Sequence, residues 1–584
     1  MARRTPSGTS NAGSTRPGVA VSAAVAAVLL AAAGAGLRLW QYLANGSLWI
    51  DEAALARNII DRAPVSLLQP LDYAQVAPPA FLLTEKGIVT LLGGSEWALR
   101  LFPLVCGLFA IAFFWRLAAL TLTGWAVPYA VGLFSLGTPL VYFSSQVKQY
   151  STDVAAMVVV LWAVLRLRHQ PSGVRGTIVA AIAGAAAAWF SHAAMFGLAG
   201  VGAALAASVV IGRRLADHRR ALVIGTVWAV GAGLAAALAL RNVPPADRAY
   251  LDWYWSGGLM PFPPATFDDA LWLWRRLTWL FGTFATELRR SNGGLGYPWS
   301  SSFVLLAIAG IAGLWRRERE TALILLGPVL ATAAGAALHV YPFTGRAISF
   351  LLPVFLLAAA AGADYVLTNW PGRLQFASPA LLALALGSPV YATLLALPPE
   401  RTEELRPVLE AVAARRQAGD AMYSFYGAGQ AFMYYAPRLG LAGADVVLGR
   451  CSFTDMRVYL RDVDQFRGRS RVWVVATHAR MEATELKTIT GYLDTIGRRL
   501  DSIEVRSTSN LASTGAYAFL YDLGDRDRLR ASSSDSYPVP ASAADEGFAR
   551  WGCYGTQSAS ETMGTTGSGL EDNLFQEGGE EVVF

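Results

Sequence analysis

Charged residues are scarce in this chain of 584 residues: Asp, Glu, Lys and Arg together make up only 15% of it, whereas 54% of the residues are apolar. A soluble domain carries about 25% charged residues, so this composition excludes a chain that is soluble throughout. Apolar runs near or above the spanning length of about 18–20 residues recur through the first two-thirds of the sequence. The composition therefore predicts a polytopic α-helical membrane protein with an appended soluble part.

Cysteine and internal repeats are nearly absent as well. Cys106, Cys451 and Cys553 are the only cysteines, and their spacing matches neither a metal-binding motif nor a disulfide framework, although one bridge between Cys451 and Cys553 stays open. The sequence has no repeated halves of the kind found in many transporters. The net charge of +6 comes mostly from short arginine clusters between apolar segments, so it does not indicate a nucleic-acid partner.

Eleven apolar segments predict the membrane helices. If the N-terminus is cytoplasmic, nearly every compact arginine cluster between the segments falls on the cytoplasmic side, as the positive-inside rule requires. The first segment could instead be a secretory signal, but it is long for one and further spans follow it. The segments cover about residues 19–39, 97–116, 125–143, 151–167, 177–195, 196–212, 221–241, 301–315, 320–338, 347–367 and 376–397.

This topology divides the first two-thirds of the chain into a tail and a membrane domain. Residues 1–18 are polar and rich in Gly, Ser and Thr, which predicts a disordered cytoplasmic tail. Residues 19–397 are predicted to form the transmembrane domain in the plasma (inner) membrane. Its long outer loops are residues 41–96 and 242–300, and the second of these is rich in Trp, typical of helices that lie on the bilayer surface.

The last third of the chain is predicted to form a soluble domain followed by a tail. Residues 400–525 have the composition of an α/β domain, which should be extracytoplasmic because an odd number of spans precedes it. Residues 526–584 are rich in Ser, Gly, Thr and acidic residues, so we expect them to be disordered. Within the domain we predict a helix at 405–416 and strands at 421–426, 471–477 and 516–522.

Two adjacent carboxylates, Asp51 and Glu52, follow the first apolar segment by about ten residues. Charge at a membrane boundary is costly unless it is used or paired, so this pair is the first candidate for chemistry. Further polar residues come from separate loops that share the outer face, and they include carboxylates, cations and tyrosines. The candidates are Glu85, Lys86, Lys148, Tyr150, Asp153, His192, Tyr341 and Arg346.

Such a set of groups fits a lipid-phosphate sugar donor. The phosphate requires Lys or Arg, and the acceptor hydroxyl requires a carboxylate base. Each candidate also has a structural explanation: the acids at 51 and 52 could start a helix, Glu85 and Lys86 could form a surface pair, and the cations at 148 and 346 could anchor the interface. The Trp-rich loop fits an interfacial anchor better than a platform for a sugar, and both interpretations stay open.

Several segments resemble the GT-C superfamily of membrane glycosyltransferases, in the branch of ArnT, the RgtA/B/C/D-like enzymes and the dolichyl-phosphate-mannose protein mannosyltransferases. The resemblance covers about residues 19 to 525 and is carried by the order and spacing of the motifs. These are Asp51-Glu52 after the first span, Gln75-Val76-Ala77-Pro78-Pro79, the segment from Ser95 to Pro103, the segment from Ser144 to Asp153, and Tyr341-Pro342-Phe343 with Arg346 and Pro353.

The resemblance implies an inverting transfer of a sugar from a polyprenyl-phosphate carrier to a cell-envelope glycan, lipid or protein on the outer face. Asp51 would deprotonate the acceptor hydroxyl, and Asp153 and Glu85 would orient acceptor or donor. Lys86, Lys148 and Arg346 would neutralise the departing phosphate. Glu52, Tyr150, His192 and Tyr341 complete the set as substrate-binding candidates.

One departure from the family pattern is Gln75, which stands where many relatives carry His beside the Pro pair. Some relatives use a divalent metal, and the acids at 51, 52, 85 and 153 together with His192 could bind one, but no spacing fixes the ligands. Two other functions stay open. One is an oligosaccharyl- or O-antigen-ligase-type transferase with a diphosphate-linked donor; the other is a lipid-linked sugar transporter or flippase. A non-catalytic membrane scaffold is a third alternative.

Overall fold

The computed structural model describes residues 17–169, 173–212, 215–284, 296–369, 399–441, 445–478, 482–508, 515–530, 533–540, 550 and 553–554. They form a bundle of apolar helices with an α/β domain seated on one end. The helices of the first part are α1 (Pro17–Leu43), α2 (Ile50–Asp61), α3 (Pro79–Leu92), α4 (Glu96–Thr121), α5 (Ala126–Leu136), α6 (Thr138–Phe143), α7 (Tyr150–His169), α8 (Gly173–Phe190), α9 (Ala194–Gly212), α10 (Leu215–Arg241), α11 (Pro245–Tyr254), α12 (Phe267–Ala270), α13 (Trp272–Phe284), α14 (Gly296–Arg317), α15 (Arg319–Ala337) and α16 (Leu352–Asn369).

Seven helices in the described residues are long and apolar enough to cross a membrane, which agrees with a multi-pass membrane protein. Ten of the eleven predicted segments fall on helices; residues 376–397 lie outside the described residues. The segment predicted at 125–143 is divided into α5 and α6 at Gly137, and Pro139 stands in the first turn of α6. A proline lacks the N–H that a continuous helix needs, so a new helix starts there. The seven helices are Val21–Leu43, Glu96–Thr121, Tyr150–His169, Gly173–Phe190, His218–Arg241, Arg319–Ala337 and Gly345–Asn369.

One end of the bundle collects basic residues. Arg168 at the end of α7 contacts Glu320 at the start of α15, and Arg317 at the end of α14 lies 3.5 Å from Asp364 on α16. These contacts bring together the helix ends for which the sequence predicted a common, cytoplasmic side. The opposite end of the bundle carries α2, α3 and α11 and the links between helices that hold the candidate residues.

The α/β domain is built on a five-stranded sheet with strand order β2-β1-β3-β5-β4. Strands β2, β1 and β3 run parallel, whereas β5 is antiparallel to β3 and β4. The strands are β1 (Ala421–Ser424), β2 (Asp445–Leu448), β3 (Val472–Thr477), β4 (Arg498–Val505) and β5 (Ala516–Asp522). The helices are α17 (Leu405–Arg415), α18 (Gly429–Tyr435), α19 (Arg457–Asp464), α20 (Glu482–Ile496) and α21 (Arg526–Leu529).

The three predicted strands and the first predicted helix of this domain are present, and β2 and β4 were missed. Both missed strands lie at the edges of the sheet and are partly exposed. Strand β4 begins Arg-Arg-Leu-Asp, so it lacks the continuous apolar run that identified β1 and β3. An edge strand carries charge on its solvent face, which hides it from a search for buried runs.

Two residues in the region after residue 525, Cys553 and Tyr554, are held by contacts with the rest of the protein. A disulfide joins Cys451 to Cys553, with the two Cα atoms 5.5 Å apart. This is the bridge that the sequence neither indicated nor excluded. Tyr554 then donates a hydrogen bond of 2.7 Å to Asp247 on α11. This part of the chain is therefore tied both to the α/β domain and to α11 of the helical part.

The α/β domain rests directly on the start of α2. Backbone N–H groups of Ser47 and Ile50 donate to the carboxylates of Glu404 and Glu403, at 2.9 and 3.2 Å. The N–H of Leu48 donates to the Tyr435 hydroxyl at 2.8 Å. Apolar residues of α2 and of α17 and α18 share one buried cluster. The first turn of α2, and with it Asp51, is thus held between the two domains.

Candidate functional site

A cavity of about 580 Å³ lies where the α/β domain meets the end of the helix bundle opposite the basic residues. Three parts of the chain form its walls: the first turn of α2 with the loop before α3, the helix ends and links of the membrane domain, and loops of the α/β domain. Its lining includes Trp49, Asp51, Tyr73, Gln75, Lys148, Tyr150, Asp153, His192, Arg248, Tyr254, Trp255, His339, Tyr341, Arg346, Tyr426, Phe453 and His478.

Asp51 lies in this cavity with two cations beside it. Its Oδ2 is 3.0 Å from the guanidinium of Arg346 and 3.9 Å from Nζ of Lys148, and its side chain is 27% exposed. Burial by itself would raise the pKa of Asp51, but the charges of Lys148 and Arg346, with a contribution from His478, hold it below its usual value. Asp51 is therefore ionised at neutral pH.

Arg346 is surrounded by aromatic groups. Its guanidinium carbon lies 5.6 Å from the ring centre of Trp49, 5.8 Å from that of Tyr150 and 5.7 Å from that of Trp255. It also donates a hydrogen bond of 3.1 Å to the hydroxyl of Tyr254. Such stacking suits the flat guanidinium and fixes its direction. Trp255 belongs to the Trp-rich loop, so at least this residue of the loop contributes to the site.

Lys148 is the second cation of the cavity. Its Nζ donates a hydrogen bond of 2.6 Å to Oε1 of Gln75, the residue that departs from the family pattern. The pKa of Lys148 is lowered, mainly by burial. The charge of Asp51 raises this pKa by a smaller amount, and the charge of Arg346 lowers it further. Gln75 follows two residues with left-handed backbone, Tyr73 at φ 64° and Ala74 at φ 51°. Backbone of this kind is strained in residues other than Gly and is common at functional sites.

Asp153 and His192 lie in another part of the cavity wall. Asp153 is buried on the first turn of α7 and is hydrogen-bonded to Ser191. Among the described residues, its Oδ1 and Nε2 of His192 are buried without a hydrogen-bond partner. Burial lowers the pKa of His192 to about 4, so its imidazole is neutral at pH 7. Buried polar atoms without partners are rare, and here they face a cavity that a polar ligand can fill.

Tyr341 and Tyr150 complete the set of predicted residues that reach the cavity. The Tyr341 hydroxyl donates a hydrogen bond of 2.7 Å to the carbonyl of Ala347, which anchors the link that carries Arg346. Burial raises the pKa of Tyr341 well above its usual value, so it stays neutral. The structure thus brings together Asp51, Lys148, Tyr150, Asp153, His192, Tyr341 and Arg346.

Glu52 lies outside the cavity, although it is next to Asp51 in the sequence. It is 1% exposed and forms a buried ion pair of 2.7 Å with Arg100 on α4. Its Oε1 also accepts the N–H of Val147 at 2.7 Å. Successive residues of a helix point about 100° apart, so Asp51 faces the cavity and Glu52 faces the bundle. In this position Glu52 joins α2, α4 and the link before α7.

Glu85 and Lys86 on α3 are also outside the cavity lining. Glu85 is fully buried, and within the described residues neither of its carboxyl oxygens has a hydrogen-bond partner. Burial raises the pKa of Glu85 well above its usual value. Lys86 donates a hydrogen bond of 2.9 Å to the carbonyl of Ile60 at the end of α2. The two residues are therefore not the surface pair that one interpretation of the sequence allowed.

The residues of the cavity that sequence reasoning did not single out include Tyr254, Tyr426, Phe453 and His478. The last three belong to the α/β domain, which has no pattern in the sequence that points toward the membrane. Within the described residues, no group of three or more His, Cys, Asp and Glu side chains is arranged to hold a metal ion. The five metal candidates do not converge, because Glu52 and Glu85 face away from Asp51, Asp153 and His192.

The comparison with protein families gives one match. Residues 76–236 match the family model described as dolichyl-phosphate-mannose-protein mannosyltransferase. This segment includes Lys148, Tyr150, Asp153 and His192 of the cavity. No curated protein matches the chain significantly.

The chain is also similar to solved structures of two proteins. One is ArnT from Cupriavidus metallidurans bound to undecaprenyl phosphate, at 14% identity and a TM-score of 0.45, with 84% of this chain and 97% of that chain covered. The other is the oligosaccharyltransferase of Archaeoglobus fulgidus in complex with Zn and sulfate, at 13% identity and a TM-score of 0.45, with 76% and 67% covered. Its apo form gives 11% identity and a TM-score of 0.47, with 83% and 74% covered.

The family match agrees with the motifs from which the resemblance was drawn, since the Pro pair, the segment before Pro103 and the segment before Asp153 all lie within it or at its start. The apolar helices agree with a protein that works in a membrane. Residues 76–236 therefore match the same family of mannosyltransferases that the sequence motifs resemble.

Proposed function

We propose that the protein transfers a sugar from a polyprenyl-phosphate carrier to a hydroxyl of a cell-envelope acceptor, with inversion at the anomeric carbon and Asp51 as the general base. The observation that carries this proposal is the position of the Asp51 carboxylate between Arg346 and Lys148 in a cavity at the end of the helix bundle. The two cations suit a phosphate, and the ionised carboxylate suits an acceptor hydroxyl.

The donor phosphate would bind to Arg346 and Lys148, with its lipid tail along the apolar helices. The phosphate then competes with Asp51 for both cations, so the carboxylate gains freedom to accept a hydrogen bond from the acceptor. Arg346 would keep its direction during this exchange, because Trp49, Tyr150 and Trp255 enclose it. Burial of Lys148 and Arg346 strengthens their attraction for a phosphate relative to cations in water.

In the transfer step, Asp51 takes the proton of the acceptor hydroxyl. The acceptor oxygen forms a bond to the anomeric carbon while the bond from that carbon to the phosphate oxygen breaks, and the electron pair leaves with the polyprenyl phosphate. The two cations stabilise the charge on the leaving phosphate, so no additional acid is required. Attack from the face opposite the phosphate inverts the anomeric centre. The positive charge on the sugar ring in the transition state is stabilised by nearby carboxylate.

Asp153 and His192 would bind the hydroxyl groups of the sugar. Their unpartnered polar atoms face the same cavity and would be satisfied by a polyhydroxylated ligand. Glu52, Glu85 and Lys86 have no role in substrate binding in this proposal. Glu52 is paired with Arg100, Glu85 is fully buried outside the cavity, and Lys86 donates a hydrogen bond to the carbonyl of Ile60. We further propose that the cavity and the α/β domain face the outside of the plasma membrane.

The test is an assay of the purified protein in lipid nanodiscs with radiolabelled polyprenyl-phosphate sugars and cell-envelope acceptors. Asp51→Asn should lower transfer by about 10²–10⁴-fold, the usual contribution of a general base, while thermal stability stays close to wild type. A matched control is Asp501→Asn, which removes an exposed carboxylate paired with Arg415 far from the cavity. Wild-type turnover in Asp51→Asn would remove Asp51 as base. Transfer only from diphosphate-linked donors would replace the proposed donor class.

A further inference from the structure

Loops at one edge of the sheet in the α/β domain line the cavity. Tyr426, Phe453 and His478 line the cavity, and each follows the carboxyl end of a parallel strand: β1 ends at Ser424, β2 at Leu448 and β3 at Thr477. Because β2, β1 and β3 are adjacent and parallel, their carboxyl ends lie at one edge of the sheet. In open α/β sheets this is the edge at which ligands bind.

His478 is fixed in direction by a buried carboxylate. Its Nδ1 lies 2.5 Å from Oε1 of Glu403, and the two side chains are 13% and 3% exposed. The other oxygen of Glu403 accepts the N–H of Ile50 at 3.2 Å, directly before Asp51 in the chain. One carboxylate therefore couples the histidine of the soluble domain to the helix turn that carries the base.

The backbone at both ends of this contact is left-handed, with φ 48° at Glu403 and φ 54° at His478. Such a conformation is strained in a residue other than Gly and persists only where the surroundings enforce it. The packing around His478 is also tight: a Cβ added at Gly427 would lie 2.6 Å from the carbonyl oxygen of Thr477 and 3.0 Å from that of His478. The loops after β1 and β3 thus hold the imidazole at a set position.

The two halves of the cavity differ in chemistry. The membrane half supplies Arg346 and Lys148 next to the apolar helices, which suits a phosphate on a lipid. The soluble half supplies an imidazole and two aromatic rings, Tyr426 and Phe453, whose centres lie 5.9 Å apart. Aromatic faces and a hydrogen-bonding imidazole suit a sugar ring, which has apolar C–H faces and hydroxyl edges. His478 also contributes to the low pKa of Asp51, so the imidazole is within electrostatic reach of the base.

We propose that His478, oriented by Glu403, binds a hydroxyl group on the sugar unit of a glycan acceptor beside Asp51, so that the soluble domain forms the acceptor-binding half of the active site. This inference rests on the proposed function. Glu403 acts through His478 and is a positioning residue.

The test separates the acceptor from the donor. Transfer to cell-envelope polysaccharide is measured together with hydrolysis of the polyprenyl-phosphate sugar by water, which needs the donor and the base but no glycan acceptor. In His478→Ala and His478→Gln the KM for the polysaccharide should rise about 10-fold or more, while the KM for the donor and the rate of hydrolysis stay within about 2-fold of wild type. Glu403→Gln should raise the KM for the polysaccharide by a smaller factor in the same pattern, and Asp501→Asn should change neither.

An unchanged KM for the polysaccharide in both His478 variants would overturn the inference, as would an equal rise in the two KM values. The conservative His478→Gln variant keeps a side chain that can hydrogen-bond, so it guards against loss of folding as the cause; its thermal stability is measured in parallel. Transfer to an unglycosylated peptide but not to polysaccharide would overturn the glycan assignment. If the wild-type protein neither transfers nor hydrolyses any polyprenyl-phosphate sugar, the proposed function itself fails.

Discussion

Asp51 and Arg346 come from distant parts of the chain, yet Oδ2 of Asp51 lies 3.0 Å from the Arg346 guanidinium. Asp51 stands in the first turn of α2, and Arg346 stands in the link between α15 and α16. This contact joins the base proposed for the acceptor to the cation proposed for the donor phosphate. A donor phosphate that binds to Arg346 would take the place of the Asp51 carboxylate beside the guanidinium. The donor and the acceptor would then bind on either side of this one contact.

Arg346→Lys should impair use of the donor although the charge is kept. A lysine ammonium is not planar and cannot stack among Trp49, Tyr150 and Trp255 as the guanidinium does. We expect the KM for the polyprenyl-phosphate sugar to rise by about 10-fold, with the KM for the acceptor little changed, in steady-state assays of transfer. The matched control is Arg415→Lys, at an exposed ion pair of the α/β domain. A donor KM equal to that of the wild type would contradict a phosphate contact at Arg346.

Glu52→Gln should impair folding rather than chemistry. The substitution leaves the buried guanidinium of Arg100 without its charge partner, and breaking a buried pair costs about 3–5 kcal/mol. The measurement is thermal unfolding in detergent together with turnover per folded molecule. Asp51→Asn is the comparison, since it should lose turnover and keep stability. A Glu52→Gln protein of wild-type stability without turnover would instead place Glu52 in the reaction.

Glu85→Gln should be tolerated and should stabilise the protein more as the pH rises. The pKa of Glu85 is raised in the folded protein, whereas in the unfolded chain it is about 4.3. A raised pKa means that stability is full below the unfolded pKa and is lost as the pH rises toward the folded pKa. The variant does not titrate there, so its advantage over wild type should grow from pH 5 to pH 8 in thermal unfolding. Loss of transfer at wild-type stability would show that a Glu85 carboxylate is required.

The two ends of the bundle should react from opposite compartments of intact cells. Thr266 is exposed in the loop on the cavity end, and Arg319 is exposed at the start of α15 on the basic end. In Thr266→Cys and Arg319→Cys, a membrane-impermeant thiol reagent should label the first from outside and the second only after permeabilisation. The natural cysteines are buried or joined in a disulfide, so they give a low background. Labelling of both from outside would contradict the proposed orientation.

Local patterns predicted much of the architecture because they depend only on neighbouring residues. The apolar runs identified the membrane helices, and short buried runs identified β1, β3 and β5. The prediction was incomplete where a run is interrupted or exposed, as at Gly137 between α5 and α6 and in the charged edge strand β4. Composition also did not indicate the disulfide from Cys553 to Cys451, or the hydrogen bond that joins Tyr554 to α11.

The sequence by itself determined that the chain spans a membrane, that a soluble α/β domain follows, and that acids and cations gather at one face, because hydropathy and charge act locally along the chain. Only the tertiary structure decided which of those residues share the cavity. Asp51 and Glu52 are adjacent, but one faces Arg346 and the other Arg100, since a helix turns about 100° at each residue. Likewise His478 reaches the cavity because parallel strands end at the same edge, a relationship between segments that no single stretch of sequence contains.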